Sequence, residues 1–149
     1  MTKKIIIGII LLLVAIQVIR IDKTNPPVDK SKDFITLTHP SEEIRAMLVT
    51  SCYDCHSHET TYPWYSNVAP ASWFLKNHIN DGRKHLNFST WSDYSEKKQQ
   101  HKLEECIDEV KEGEMPLTPY TWTHQHAALT PNQQEKLAAW FRTWVKEKK

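Results

Sequence analysis

One short run constrains this chain more than any other: Cys52-Tyr53-Asp54-Cys55-His56. Two thiols at this spacing, at the end of a helix, reach both vinyl groups on one edge of a haem and form thioethers. The adjacent His then aims its imidazole at the iron from one face. Rival readings are weaker on their own terms. A zinc site needs four ligands, commonly a second Cys or His pair; His124 and His126 could supply one, yet they stand closer together than zinc-binding His pairs usually do. A thioredoxin-like pair belongs between a strand and a helix, whereas this one comes after an amphipathic helical stretch. A structural disulfide leaves His56 without a role. The expectation is one covalent haem c held by Cys52, Cys55 and His56. The remaining cysteine, Cys106, falls on an apolar helical stripe and reads as a small buried hydrophobe.

The second signal is the start of the chain. Lys3 and Lys4 precede an apolar run from Ile5 to Ile16, which resumes at Val18-Ile19 and closes at Arg20. Its exit, Val14 to Arg20, carries bulky residues where signal cleavage requires small ones. The reading is an uncleaved signal anchor over residues 1–21, a single-pass membrane helix in a bacterial inner membrane with Lys3 and Lys4 on the cytoplasmic side. Residues 22–40, polar and holding Pro26, Pro27 and Pro40, read as an extended tether. The domain of residues 41–149 then faces the periplasm, which agrees with thioether attachment outside the cytoplasm. The leader holds three of the 19 Lys and Arg and none of the 18 Asp and Glu, leaving the rest at 16 against 18, or −2. No basic stripe with interleaved aromatics exists, so nucleic acid is not expected as a partner.

Four helices are legible after the tether, and no alternating strand pattern of useful length is. Ser41 caps a helix with Glu42 and Glu43 in its first turn, and Ile44, Met47, Leu48 and Cys52 on one face. A second begins at Pro70 and stops at Gly82. A third runs from Asp93 or Ser95 to Gly113 with Leu103, Cys106, Ile107 and Val110 in register. The fourth opens with a capping-box pattern at Thr130-Pro131-Asn132-Gln133 and carries Leu137, Trp140, Phe141, Trp144 and Val145. The fold class is all-α, with long loops whose side chains converge on a cofactor. The six Trp read either as a packed aromatic core or as the enclosure of something large and flat.

The sixth iron position decides much of what a haem with a proximal His does. Met115 is the first choice: it lies in a turn past Gly113 with Pro116 behind it, whereas Met47 lies on a helical face and reads as core. His78 is the alternative and His85 comes next. An empty position is the third possibility. His58, His101, His124 and His126 carry no placement argument.

With these residues in place, the chain resembles the small haem-binding domain proteins of bacteria over most of residues 41–145. The resemblance rests on Cys52-Tyr53-Asp54-Cys55-His56-Ser57, Pro63-Trp64-Tyr65, Pro70, Gly82-Arg83, Leu86-Asn87-Phe88 with Trp91, Met115-Pro116, Tyr120 and Trp140. It implies a membrane-tethered or exported c-type haem domain, a cytochrome-c-like helical fold and a Met-Pro loop near the iron. It implies no activity.

Three functions stand as expectations. The first is electron transfer with His56 and Met115 as axial ligands and redox proteins as partners. It is favoured over an enzyme because no acid–base constellation accompanies the motif. The second is a peroxidase-like enzyme or gas sensor with an open sixth site and His78, His85 or Arg83 above the iron. The third is a zinc-binding module without haem.

Overall fold

The computed structural model describes residues 2–146, and among them all regular structure is helical. The longer elements are α1 (Thr2–Ala15), α5 (Ala71–His85), α6 (Glu96–Glu112) and α8 (Pro131–Arg142). Shorter ones are α2 (Phe34–Thr38), α3 (Glu42–Leu48), α4 (Asp54–His56) and α7 (Thr118–Thr123). The all-α expectation stands; the membrane anchor that went with it does not. A 14-residue helix is about 21 Å long at 1.5 Å per residue, short of a hydrocarbon core of about 30 Å. Among the described residues no helix is long and apolar enough to cross a membrane.

The reason lies in the residues just beyond the helix. Gln17 makes two hydrogen bonds with the backbone of Ala69: its Nε2 donates to the carbonyl and its Oε1 accepts from the amide, both at 2.9 Å. Arg20 donates to Asn67 O at 2.7 Å, and Trp73 Nε1 donates to Ile19 O at 3.0 Å. These bonds fasten residues 17–20 to α5 and the turn before it, and the α-helix gives way at Ala15 to a single 3-10 turn, Ile16–Val18, instead of running through Arg20.

Residues 22–40, expected as an extended tether, also join the domain. Asp33 caps α2 through the amides of Ile35 and Thr36, and Phe34 is fully buried. Its ring meets Trp91 at 4.6 Å, Phe88 at 5.0 Å, Trp140 at 5.6 Å and Phe141 at 6.2 Å. Around it α6 packs on α8, with Leu103, Ile107 and Val110 facing Leu137, Ala138 and Phe141 in one buried cluster. The caps that define these helices are the expected ones. Ser95 opens α6, Gly113 closes it at φ 76°, and Thr130 with Gln133 forms the capping box of α8.

Two helices depart from their expected course. The chain leaves α3 through a π-turn, Val49–Tyr53, before α4. A step of five residues replaces the usual four, so Leu48 is succeeded on the core face by Tyr53, 4 % exposed, and not by Cys52. Cys52, Cys55 and His56 thereby come to line a cavity beside the core, with Cys52 still packed against the core's edge. The other departure is α5, which passes through Gly82 and ends at His85.

Candidate cofactor site

The π-turn and α4 carry Cys52, Cys55 and His56 along one wall of an open cavity of about 420 Å³, within the range of small-molecule and cofactor sites. Helix α5 contributes His78, Asp81, Gly82 and His85 to its lining. Helix α6 contributes Lys102, Glu105, Cys106, Glu109 and Val110, and the segment after it Met115, Pro116, Leu117 and Tyr120. All the expected ligands and both alternatives for the sixth position therefore border one space.

The His56 ring is oriented by backbone. Its Nδ1–H donates to both Gly82 O and Leu86 O, each at 3.1 Å. That fixes the tautomer and leaves Nε2 with a free lone pair, the arrangement by which a second hydrogen bond prepares a metal-ligating His. Burial depresses the basicity of the imidazole, with the two carbonyl bonds opposing, so the neutral, ligating form is favoured.

The approach that permits this geometry depends on Gly82. A Cβ there would lie 2.8 Å from Cys55 O and 3.2 Å from Cys55 C and Cβ. The glycine expected to end α5 instead lets α5 close on α4.

The next residue, Arg83, faces away from the cavity. Its Nε donates to Ser57 O at 2.7 Å, and one terminal nitrogen donates to Asn25 Oδ1 and Thr60 Oγ1 at 2.9 Å each. It clamps the loop after His56 and is absent from the lining, so it is a brace and not the distal group that an open sixth site would need. Asp54, inside the cysteine motif, is held from two sides, accepting from Thr61 N at 2.7 Å and from the Tyr120 hydroxyl at 2.8 Å. Tyr120 stacks on His124 at 4.2 Å, which gives that His a structural place. His58 bridges Pro27 O and Asn87 Nδ2, and His101 pairs with Glu105.

Burial pushes the Cys52 thiol up to about 12 and the Cys55 thiol up to about 11, so both are neutral thiols near neutral pH. Cys106 is raised as well, chiefly by burial. It packs against the core and also lines the cavity, closer to the motif than a plain core position. The six Trp do not enclose the cavity: none lines it. Trp91 and Trp140 surround Phe34 instead, and Trp64 and Trp122 are exposed. Met47, read as core, is buried.

The pattern of the haem-binding domain family matches residues 11–143. The chain belongs to that family. No curated protein and no solved structure gives a match. For a haem-binding domain the fit is chemically coherent: a free imidazole nitrogen, two neutral thiols and a thioether-bearing Met border one cavity. The π-turn and the Gly82 contact place the two thiols and the imidazole, and the end of α6 places Met115. The Gly82 and Leu86 carbonyls, Lys102 and Glu105 are site groups that the sequence alone does not single out. On α5 the sequence signals are His78, His85 and the Gly82-Arg83 pair.

Proposed function

We propose that this haem-binding domain attaches its haem covalently and serves as a one-electron carrier, with His56 and Met115 as axial ligands. The observation that carries the reading is the His56 imidazole, locked through Nδ1 to Gly82 and Leu86 beside Cys52 and Cys55. Cys52 and Cys55, as neutral thiols, would hold the haem through thioether bonds to its vinyl groups. His56 Nε2 and Met115 Sδ would hold the iron, which would supply one-electron redox chemistry. A zinc reading is less well supported, since among the described residues no three His, Cys, Asp or Glu side chains are grouped to hold a metal ion.

Met115 is preferred because it comes from a separate element. Its amide donates to Glu109 O at 3.1 Å, tying the Met-Pro turn to the end of α6. Helix α5 is the backbone on which His56 leans, so His78 and His85 share the support of the proximal ligand. The commitment of Arg83 to the 57–60 loop favours a carrier over a peroxidase. One observation supports a second reading: His78 Nδ1 is bonded to Phe74 O at 2.8 Å, which leaves its Nε2 free at the cavity wall for a His–His site. Attachment on the periplasmic side and exchange with redox proteins complete the proposal.

The test is an absorption spectrum of protein made in a host that attaches haem c. Haem that stays bound after denaturation, with a Met-to-iron band in the far red that disappears in Met115→Ala, is the expected result. Haem lost on denaturation overturns the attachment. A band unchanged in Met115→Ala but altered in His78→Ala overturns the ligand assignment, and a high-spin ferric spectrum that takes up cyanide readily overturns the closed sixth site.

A further inference from the structure

The charges around the cavity are lopsided. Four carboxylates line it, those of Asp54, Asp81, Glu105 and Glu109, against a single Lys or Arg, Lys102. A haem brings two more carboxylates, its propionates, into this anionic wall. Carboxylates confined side by side repel strongly in a partly desolvated space, so a lone fixed cation there has a disproportionate effect.

Lys102 is built for that position. Its side chain is 14 % exposed, which holds the ammonium at the cavity instead of in bulk water. Its ion pair is with Glu105, one turn on in α6, at 2.5 Å to Oε2. An ammonium has three donors, and Glu105 accepts from one of them. Glu105 has a second partner of its own: Oε1 lies 3.0 Å from His101 Nε2, and its side chain is 44 % exposed. Glu105 can therefore yield Lys102 and remain hydrogen-bonded. The other strong cation near the motif, Arg83, is committed to Ser57, Asn25 and Thr60.

Resting on the haem-carrier reading, we propose that Lys102 is the positioning residue for the acid edge of the haem. It binds a propionate, while Glu105 holds the ammonium at the wall before the cofactor arrives and turns to His101 afterwards. This contact also places a positive charge beside the macrocycle, which favours the reduced iron. Lys102 acts through the propionate and does not touch the iron.

The experiment uses the full chain loaded with covalent haem, as wild type, Lys102→Gln, Lys102→Arg and Glu105→Gln. Resonance Raman spectroscopy reads the propionate bending mode, and a redox titration reads the ratio of oxidised to reduced iron at fixed ambient potential. The expected result is a shifted propionate mode in Lys102→Gln, restored in Lys102→Arg. The oxidised-to-reduced ratio should rise about tenfold in Lys102→Gln and fall in Glu105→Gln. An unchanged propionate mode in Lys102→Gln overturns the proposal, as does a ratio that moves equally in Lys102→Gln and Lys102→Arg. Wild type without covalent haem overturns the attachment reading instead, so the two failures are distinguishable.

Discussion

Replacing Gly82 by Ala tests the contact on which the site geometry rests. The added Cβ meets Cys55 O at 2.8 Å and Cys55 C and Cβ at 3.2 Å. Two of these are main-chain atoms and cannot rotate aside, so α4 or α5 must move by several tenths of an ångström. Overpacking of this kind costs about 1–3 kcal/mol. Separating the helices also lengthens the His56 Nδ1 bonds to Gly82 and Leu86, a loss of about 1 kcal/mol. Ala is the better helix former by up to about 1 kcal/mol, which offsets part of this. The net expectation is a destabilisation of about 2 kcal/mol, or roughly 4–8 °C in Tm for a domain of this size. Thermal and urea unfolding of wild type and variant, in the same haem state, measure it. Gly8→Ala is the control, since a Cβ there meets nothing within 4 Å, and with only the helix preference of Ala in play it should not lower the domain's transition. A Gly82→Ala protein as stable as wild type would refute the claim that α5 closes on the cysteine motif through this glycine.

Two further outcomes rest on the same geometry. Because His56 is depressed in the folded chain, the unfolded state binds the extra proton first. Without haem, stability is therefore complete above the unfolded His value of about 6.5 and is lost as pH falls below it; urea midpoints against pH should show this slope, and His56→Gln should flatten it. Arg83→Lys should cost about 2–3 kcal/mol, because a point-like ammonium cannot reach Ser57, Thr60 and Asn25 together as the planar guanidinium does. Faster amide exchange at Thr60 and Thr61 would register the loosened loop, and unchanged protection there would count against the brace.

The helices legible in the chain are those with local punctuation: Ser41 before α3, Ser95 and Gly113 around α6, and Thr130 with Gln133 at α8. Where local and tertiary signals disagree, the sequence misleads. Gly82 resembles a helix stop, but its role is to admit Cys55. The apolar run to Ile19 resembles a membrane span in hydropathy, yet its course is decided by Gln17 and Arg20 bonding to a turn some fifty residues away. The π-turn leaves no trace in composition, and periodicity assigns Cys52 the face that Tyr53 takes. The ligand candidates are legible because Cys-x-x-Cys-His and Met-Pro are themselves chemistry. The carbonyls of Gly82 and Leu86 are not, since any residue type presents one.

Phe34 has a consequence for the order in which this molecule can be completed. Its ring closes against Phe141, so the two sides of the core come from opposite ends of the domain. A chain emerging from the ribosome has no finished interior until its last helix has been made. The cysteine motif lies between those ends, and its thiols line an open cavity even in the finished fold. A fragment beginning at Ser41 would lack one half of that clasp, leaving a greasy socket between Phe88 and Phe141 for neighbouring molecules to fill.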